Sequence, residues 1–232
     1  MLPERRAVAF DLDDTLYPHR QFLDSGFAAV AEHLSRETGL DAGTLRRSLV
    51  RARRGPTRGE EIQACLTQFD LPAGWLPDLV KLLRDHAPSL RLTRQVRDAL
   101  DALRRSGWRL GILTNGSRVP QQRKLAALGL DEDIDAVVFA PEHGTGIGKP
   151  ESAPFHALAA MLGVAAQHTV FVGNDEACDV VGALGAGMTA IRCDAFARSA
   201  APTAAHRTLR RFAALPQLAR VCLEEASTRH AA

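Results

Sequence analysis

Short apolar runs bounded by polar residues recur along the chain, and they have the length of buried β-strands. The first run, AVAF, stands apart at residues 7–10, and the others come only after residue 93, where they alternate with segments of helical periodicity. The predicted strands are residues 7–10, 109–114, 136–140, 169–173 and 189–193, with an edge strand at 208–212. The predicted helices after residue 92 are residues 93–105, 120–128, 153–162, 177–184 and 215–225, and we expect fraying over residues 226–232.

The stretch from residue 17 to residue 92 has a different pattern, because its apolar residues recur at helical spacing without a convincing strand. Gly39 and the Gly55-Pro56 pair are suitable helix stops, and Pro72 and Pro88 interrupt the pattern further on. The predicted helices are residues 19–38, 41–54, 59–69 and 75–86. This stretch is therefore predicted to be a module of about four helices.

Alternating strands and helices predict right-handed crossovers and a parallel sheet covered by helices on both faces. The strand at residues 7–10 must join the same sheet, because it is too apolar to stand alone. We therefore predict an α/β fold in which residues 1–16 and 93–232 form a Rossmann-like core. Residues 17–92 would be an inserted all-helical cap at the carboxyl edge of the sheet.

The composition is that of an ordinary globular protein, with a formal net charge of +2 and no apolar stretch of membrane-spanning length. These features argue against a nucleic-acid or membrane partner. The cysteines are scattered and form no Cys-x-x-Cys pair, which argues for reduced thiols and against a disulfide framework or zinc site. They are Cys65, Cys178, Cys193 and Cys222. We expect a cytoplasmic protein that is a monomer or a homodimer.

Polar residues gather where the predicted strands end. In an open parallel sheet the carboxyl ends of the strands share one edge, which is where ligands bind. Acids held together at such an edge are costly unless a cation or a reaction uses them. The residues concerned are Asp11 and Asp13 after the first strand, Thr114 and Asn115 at the second, Lys149 in the turn GTGIGKP, and Asn174, Asp175 and Asp179 after the strand at 169–173.

The motifs DLDDTLY, LTNG, GIGKP and VGNDEACDVVGALGAGM occur in this order along the whole predicted core. Their order and approximate spacing resemble the haloacid dehalogenase superfamily of hydrolases, most of which are phosphatases. A helical insertion between the first and second motifs also fits one of the cap arrangements of that family. The resemblance implies Mg²⁺ as cofactor and a small phosphorylated metabolite as substrate.

Elementary electrostatics supports such a site, because a phosphate monoester is a dianion and repels an attacking carboxylate. A magnesium ion held by carboxylates would supply positive charge, and Lys149 would add a second positive charge. The Thr114 hydroxyl and the loop amides, including that of Asn115, could bind the remaining phosphate oxygens. The resemblance implies that the metal ligands are Asp11, Asp13, Asn174 and Asp179.

The resemblance assigns different roles to the two acids of the first motif. Asp11 would attack phosphorus and form an aspartyl-phosphate. Asp13 would protonate the leaving alkoxide and later deprotonate the water that hydrolyses the intermediate. Dehalogenases of the family generally lack the second acid, since halide needs no proton. Asp13 therefore favours phosphatase activity over a 2-haloacid dehalogenase, which is the first alternative.

The last motif departs from the family, which usually has an aspartate directly after its glycine, where this chain has Asn174. Three interpretations remain open: the Asn174 amide oxygen binds the metal, Asp175 takes over the role, or metal binding is weaker. Asp179 matches the second acid of the motif, which would bind metal through water or orient Lys149. A weakly active or non-catalytic binding protein on the same scaffold is therefore the second alternative.

Six arginines lie close together in the predicted cap. They are Arg46, Arg47, Arg51, Arg53, Arg54 and Arg58. One interpretation is a solvated helix face, and the other is a clamp for an acidic leaving group or a second phosphate. Nucleic-acid binding ranks below both, because no aromatic residues are interleaved for base stacking.

Overall fold

The structure is a computed structural model that describes residues 5–196 and 201–230. The chain divides into two compact units, which we call the core unit (Met1–Pro18 and Arg91–Ala232) and the helical unit (His19–Leu90). The boundaries expected from the sequence, after residue 16 and before residue 93, differ from these by two residues each. Among the described helices none has the combination of length and hydropathy that crossing a bilayer requires.

Six parallel strands form the sheet of the core unit in the order β3-β2-β1-β4-β5-β6, which confirms the predicted parallel α/β fold. The strands are β1 (Ala7–Phe10), β2 (Arg109–Thr114), β3 (Ala136–Phe139), β4 (Thr169–Gly173), β5 (Thr189–Cys193) and β6 (Arg207–Leu209). In this order the chain starts at the middle of the sheet and winds outwards in both directions. Ligand sites in open α/β sheets lie at such a switch point.

Strand β1 occupies the centre of the sheet, and all four of its residues are fully buried. Its last residue, Phe10, pairs with Ile112 of β2 on one side and with Val172 of β4 on the other. A strand buried on both faces needs a continuous apolar sequence, and AVAF provides it. The carboxyl ends of β1, β2 and β4 are consequently neighbours, so the polar residues that follow them lie at the same edge.

Four α-helices make up the helical unit, as the sequence predicts. They are α1 (Arg20–Thr38), α2 (Ala42–Arg54), α3 (Glu61–Gln68) and α4 (Leu76–Asp85), with a 3₁₀ turn (Ala73–Trp75) before α4. Gly39 ends α1 in the left-handed conformation (φ 75°), and the Asp41 side chain caps α2 by accepting from the Thr44 amide. The unit has its own apolar core, built around Phe27, Leu34 and Leu49.

In the described part of the core unit five α-helices accompany the sheet: α5 (Arg94–Arg105), α6 (Arg118–Leu128), α7 (Ser152–Leu162), α8 (Gly182–Gly185) and α9 (Leu215–His230). Helix α9 continues to His230, beyond the predicted helix end at residue 225, and the fraying of the last residues stays a prediction. Residues 231–232 lie outside the described part. The predicted edge strand at 208–212 ends at Leu209, because the chain turns and buries Phe212 in a 3₁₀ turn.

The predicted helix at 177–184 is replaced by a π-helical turn (Glu176–Val181) that leads into α8. The Asp175 carbonyl accepts from the amides of both Asp179 and Val180, and the second of these bonds spans five residues. The turn brings Asp179 against Gly173, where a Cβ would lie 2.4 Å from the Asp179 Cβ. Glycine at 173 is thus required for the close approach of the Asp179 side chain to the end of β4.

Candidate active site

Asp11 follows β1 directly and is held at the edge of the sheet by its backbone. Its amide donates to the Val172 carbonyl at 2.9 Å, so the ladder between β1 and β4 extends to this residue. The side chain is largely buried, with 7% of the residue exposed. An acid at this depth requires a compensating charge or hydrogen bonds.

Lys149 supplies the compensating charge from the loop before α7. Its Nζ donates to Asp11 Oδ1 at 2.6 Å, to Asp179 Oδ1 at 2.7 Å and to the Leu113 carbonyl at 3.1 Å. All three ammonium protons are therefore used, and the side chain is almost completely buried. One cation thus connects the residue after β1, the end of β2 and the turn after β4.

The charges of this cluster shift one another's ionisation. Burial raises the pKa of Asp11 to about 7; the Lys149 ammonium opposes the increase, and the Asp179 carboxylate adds to it. Burial alone would lower the pKa of Lys149, but Asp11 and Asp179 outweigh this effect and hold its pKa above the ordinary value. Lys149 is therefore a permanent cation that faces two acids.

The two oxygens of Asp11 have different surroundings. Oδ1 accepts from Lys149, whereas Oδ2 has no hydrogen-bond partner in residues 5–196 and 201–230. A carboxylate held by one oxygen, with the other available, is oriented to attack or to bind a cation through the second oxygen.

The three polar residues of the last motif make different contacts in the structure. Asn174 Oδ1 accepts from the Thr15 hydroxyl at 3.2 Å and keeps a further lone pair. The Asp175 carboxylate caps the π-helical turn by accepting from the Cys178 amide at 2.7 Å. Both Asp179 oxygens are engaged, by Lys149 and by the Asp175 amide. Of the two expected roles of Asp179, this geometry corresponds to orientation of Lys149.

Asn115 uses its side-chain amide to hold the backbone of Lys149. Its Oδ1 accepts from the Lys149 amide at 2.8 Å, and its Nδ2 donates to the Lys149 carbonyl at 3.2 Å. Gly148 allows this contact, since a Cβ there would lie 2.7 Å from Asn115 Oδ1. The described side-chain bonds of Asn115 thus position Lys149, and binding of an anion by its backbone amide stays a prediction.

Asp13 does not join the Lys149 cluster but contacts a second lysine. Lys124 Nζ donates to its two carboxylate oxygens at 2.8 and 2.7 Å, and Gln121 Nε2 donates to Oδ2 at 3.1 Å. The Tyr17 hydroxyl donates to Oδ1. Burial and the neighbouring Asp13 charge raise the pKa of Tyr17 far above its ordinary value, so its hydroxyl stays protonated. The sequence analysis did not identify Tyr17, Gln121 or Lys124 as site residues.

Two signals in the sequence could have identified Gln121 and Lys124. Gln121 and Lys124 each lie four residues before a buried leucine of α6, Leu125 and Leu128 respectively, on the face that the helix buries. The chain also contains only three lysines beside 26 arginines, and two of the three, Lys124 and Lys149, contact the acids of the first motif. In an arginine-rich chain, an isolated lysine therefore indicates a position where a compact ammonium is needed.

The donor chemistry fits a hard cation held by few protein ligands. Nowhere in the described ranges do three or more His, Cys, Asp or Glu side chains converge on one cation position. Of the four expected ligands, Asp13 and Asp179 are engaged by lysines, whereas Asp11 and Asn174 each keep oxygen lone pairs. Mg²⁺ is commonly bound by one or two carboxylates together with waters and substrate phosphate, so this smaller set fits it.

Comparison with known proteins agrees with this arrangement of motifs. The family model of haloacid dehalogenase-like hydrolases matches residues 5–187. The chain is 31% identical over 200 residues to a glyceraldehyde 3-phosphate phosphatase from Methanothermobacter thermautotrophicus, covering 80% of this chain and 84% of that protein. It is 31% identical over 219 residues to a ribulose-1,5-bisphosphate 5-phosphatase from Halopiger xanaduensis, covering 87% and 90%.

A solved structure of a HAD phosphatase from Thermococcus onnurineus has a TM-score of 0.60 and 25% identity to this chain. The match covers 92% of this chain and 97% of that one. The sheet order, the strand-end motifs and the family match over most of the chain lead to the same conclusion. The protein belongs to the haloacid dehalogenase-like hydrolase family.

Proposed function

We propose that this protein is a magnesium-dependent phosphatase that hydrolyses phosphate monoesters of small metabolites through an aspartyl-phosphate on Asp11. The observation that carries the proposal is the difference between the surroundings of the two Asp11 carboxylate oxygens, at the switch point of the sheet. One of its oxygens is fixed 2.6 Å from the Lys149 ammonium, and the other has no hydrogen-bond partner among the described residues. The phosphatase activity of the relatives supports the same reaction.

In the first step Asp11 Oδ2 attacks phosphorus, and the bond between phosphorus and the ester oxygen breaks. Asp13 enters this step in the protonated form that the second step restores, and it gives its proton to the departing oxygen, so the product is a neutral alcohol. Lys149 offsets negative charge beside Asp11, and the Thr114 hydroxyl donates to a phosphate oxygen. A bound Mg²⁺, held by Asp11 and Asn174, would supply further positive charge for the phosphate oxygens.

In the second step water attacks the phosphorus of the aspartyl-phosphate. Asp13, now a carboxylate, accepts a proton from that water, and the bond between phosphorus and Asp11 Oδ2 breaks. Inorganic phosphate leaves, and both acids return to their starting forms. Because the reaction has two displacement steps, Asp13 can act as the general acid in the first and as the general base in the second.

Several substrates fit the site chemistry, because the core motifs recognise only the phosphoryl group. Sugar phosphates, nucleoside monophosphates and phosphoglycolate are all compatible. The names of the relatives, a glyceraldehyde 3-phosphate phosphatase and a ribulose-1,5-bisphosphate 5-phosphatase, favour phosphate esters of small carbonyl compounds and sugars. All four cysteines are free thiols, which suits the cytoplasm that we propose as the location.

Phosphate release from a metabolite panel, with and without Mg²⁺, tests the proposal. The wild type should hydrolyse at least one ester with Mg²⁺, and Asp11→Asn should lose essentially all turnover because its amide is a poor nucleophile. Asp131→Asn, which makes the same change on an exposed residue of the core unit, is the matched control and should behave as wild type. Hydrolysis by Asp11→Asn at the wild-type rate would remove the mechanism.

The same panel distinguishes the dehalogenase alternative. Release of chloride from chloroacetate without Mg²⁺, together with no hydrolysis of any phosphate ester, would replace the proposal. We expect no such release, because Asp13 supplies a proton that halide does not require.

Asn174→Asp tests whether residue 174 contributes to magnesium binding. The added negative charge should lower the Mg²⁺ concentration for half-maximal activity about tenfold, since affinity for hard cations rises with ligand charge. Mg²⁺ titration of activity and calorimetry of Mg²⁺ binding without substrate would measure the change. Asp175→Asn is the comparison variant, and we expect little change in Mg²⁺ affinity, because its carboxylate caps a turn. A larger effect at residue 175 would reverse the assignment.

A further inference from the structure

Helix α6 buries two polar side chains in the core unit. Gln121 and Lys124 are 3% and 5% exposed, and they share a helix face with Leu125 and Leu128. A helix that packs on a sheet normally presents only apolar residues on such a face. A buried lysine and a buried glutamine three residues apart therefore require an explanation beyond packing.

Lys124 is bound to Asp13 through both carboxylate oxygens, at 2.8 and 2.7 Å. Its side chain is 6% exposed, and that of Asp13 is 26% exposed, so the acid reaches the site edge while its partner lies behind it. Arginine outnumbers lysine 26 to three in this chain. A lysine at 124 thus suits the space beside Asp13, where the larger guanidinium would demand more room.

Gln121 connects the same acid to the second motif. Its Nε2 donates to Asp13 Oδ2 at 3.1 Å and to Thr114 Oγ1 at 2.7 Å. Thr114 Oγ1 also accepts from the Gly116 amide at 3.4 Å. Both described bonds of this hydroxyl oxygen are accepted, so its own proton is directed towards another acceptor.

The Gln121 carboxamide is held at a cost to stability, which argues against a purely structural role. Its Oε1 is buried with no hydrogen-bond partner in the described part of the chain, and an unpaired buried acceptor is destabilising. The loop after β2 also makes room for it, because a Cβ at Gly116 would lie 2.1 Å from Gln121 Nε2. An apolar side chain at 121 would leave no unpaired acceptor there.

We propose that Gln121 and Lys124 are positioning residues: they hold the Asp13 carboxyl group in one orientation beside Thr114 and stabilise the charge that Asp13 develops when it protonates the leaving alcohol. The inference rests on the proposed function, in which Asp13 is the proton donor. Neither residue touches the reacting phosphoryl group, and both act through Asp13 and Thr114.

Esters whose leaving groups differ in their need for a proton distinguish a positioning role of Gln121 and Lys124 from a purely structural role. An alkoxide is a poor leaving group and needs the proton of Asp13, whereas nitrophenolate leaves as a stable anion and needs little help. The parameter kcat/KM covers the steps up to departure of the leaving group, so it reports proton donation. Hydrolysis of the aspartyl-phosphate is common to all esters and would appear in kcat.

The experiment compares Lys124→Met and Gln121→Met with wild type on p-nitrophenyl phosphate and on the fastest of three alkyl esters, glyceraldehyde 3-phosphate, ribulose 5-phosphate and glycerol 3-phosphate. For the alkyl ester, kcat/KM should fall about 100-fold in Lys124→Met and about tenfold in Gln121→Met. For p-nitrophenyl phosphate it should fall less than about threefold. Stopped-flow mixing of Lys124→Met with p-nitrophenyl phosphate should show a burst of nitrophenolate, because hydrolysis of the intermediate becomes slow.

The exposed neighbours on the same helix provide matched controls, Gln122→Met and Arg123→Met, and both should behave as wild type. Adding Lys124→Met to Asp13→Asn should cause little further loss, since both changes act on one group. Equal losses for the two ester classes, or no loss, would overturn the inference while the proposed function stands. Wild-type hydrolysis of p-nitrophenyl phosphate but of no alkyl ester would also overturn it. Failure of the wild type on all four esters would overturn both proposals.

Discussion

The buried lysines of the core unit and the arginines of helix α2 in the helical unit are held in opposite ways. In the core unit, Lys149 and Lys124 are buried, and each contacts a carboxylate at 2.6 to 2.8 Å. On helix α2 of the helical unit the charges are spread over an exposed surface. Its ion pairs are longer, at 3.7 Å from Arg47 to Asp41 and at 3.8 Å from Arg53 to Asp24.

The density of charge along the sequence is therefore a poor guide to where charge is constrained. Helix α2 carries five of the 26 arginines, and four of them line an open groove of about 610 Å³ together with Asp24. These four are Arg46, Arg47, Arg51 and Arg54. Exposed charges interact weakly because water and salt screen them, whereas a buried ammonium interacts strongly with the few groups around it. The two isolated lysines are thus the more tightly constrained cations.

Removing a buried cation should have the largest effect. In Lys149→Met the carboxylates of Asp11 and Asp179 lose their shared counter-charge, which should lower the free energy of unfolding by about 3–5 kcal/mol. Phosphatase activity should fall at least about 100-fold, because the cation beside Asp11, the proposed nucleophile, is gone. Urea unfolding of the core unit, followed by Trp108 fluorescence in a Trp75→Phe background, measures the stability change.

Two single-tryptophan backgrounds allow the unfolding of the two units to be followed separately. Trp108 belongs to the core unit and Trp75 to the helical unit, so a Trp108→Phe background reports the helical unit instead. The loss in Lys149→Met should appear in the Trp108 signal. A loss of less than 1 kcal/mol, on the order of a surface ion pair, would contradict the importance of burial.

The central strands could be predicted from the sequence, because a strand that is buried on both faces consists of consecutive apolar residues. Residues 7–10, 109–114, 169–173 and 189–193 are strands in the prediction and in the structure. The π-helical turn at Glu176–Val181 could not be predicted, because it depends on the approach of Asp179 to Gly173 and Lys149. Short edge elements such as β6 are similarly decided by what packs on them.

The sequence predicted that the candidate site residues lie at the ends of strands, but it did not predict which side chains contact one another. The spacing places Asp11 and Asp13 at the end of one strand, and both are expected from the sequence as ligands of one metal ion. In the structure Asp11 contacts Lys149, and Asp13 contacts Lys124 of α6. The positions of the strands along the chain follow from the pattern, whereas the direction of a side chain depends on partners that are distant in sequence.

Removing one member of a partly exposed ion pair should cause a loss of unfolding free energy between that for a buried pair and that for an exposed pair. The Asp135 side chain, 29% exposed, accepts from the Leu110 amide at 2.7 Å and from Arg109 at 2.5 Å. Partial burial favours a higher pKa, but these bonds outweigh it and hold the pKa of Asp135 below its ordinary value. Asp135→Asn should therefore lower the free energy of unfolding at pH 7 by about 1 kcal/mol.

The effect should depend on pH with a definite sign. Because the pKa of Asp135 is lowered by folding, its stabilisation is fully present above the ordinary value of 3.8 and is lost as the pH falls through the folded value. Wild type and Asp135→Asn should thus differ at pH 7 and converge towards pH 3 in urea unfolding followed by Trp108. A difference that grows on acidification would contradict the assigned role.

The exposed lysine should give the smallest effect and complete the series. Lys81 forms an ion pair with Asp85 at 3.1 Å, one turn apart on α4, and its side chain is 76% exposed. Lys81→Met makes the same substitution as Lys149→Met, so the chemistry removed is identical and only the surroundings differ. We expect a change of at most about 0.5 kcal/mol in the unfolding of the helical unit, read from Trp75, and no change in phosphatase activity. A loss as large as that of Lys149→Met would show that the distance between the charges, and not their burial, controls the energy of these pairs.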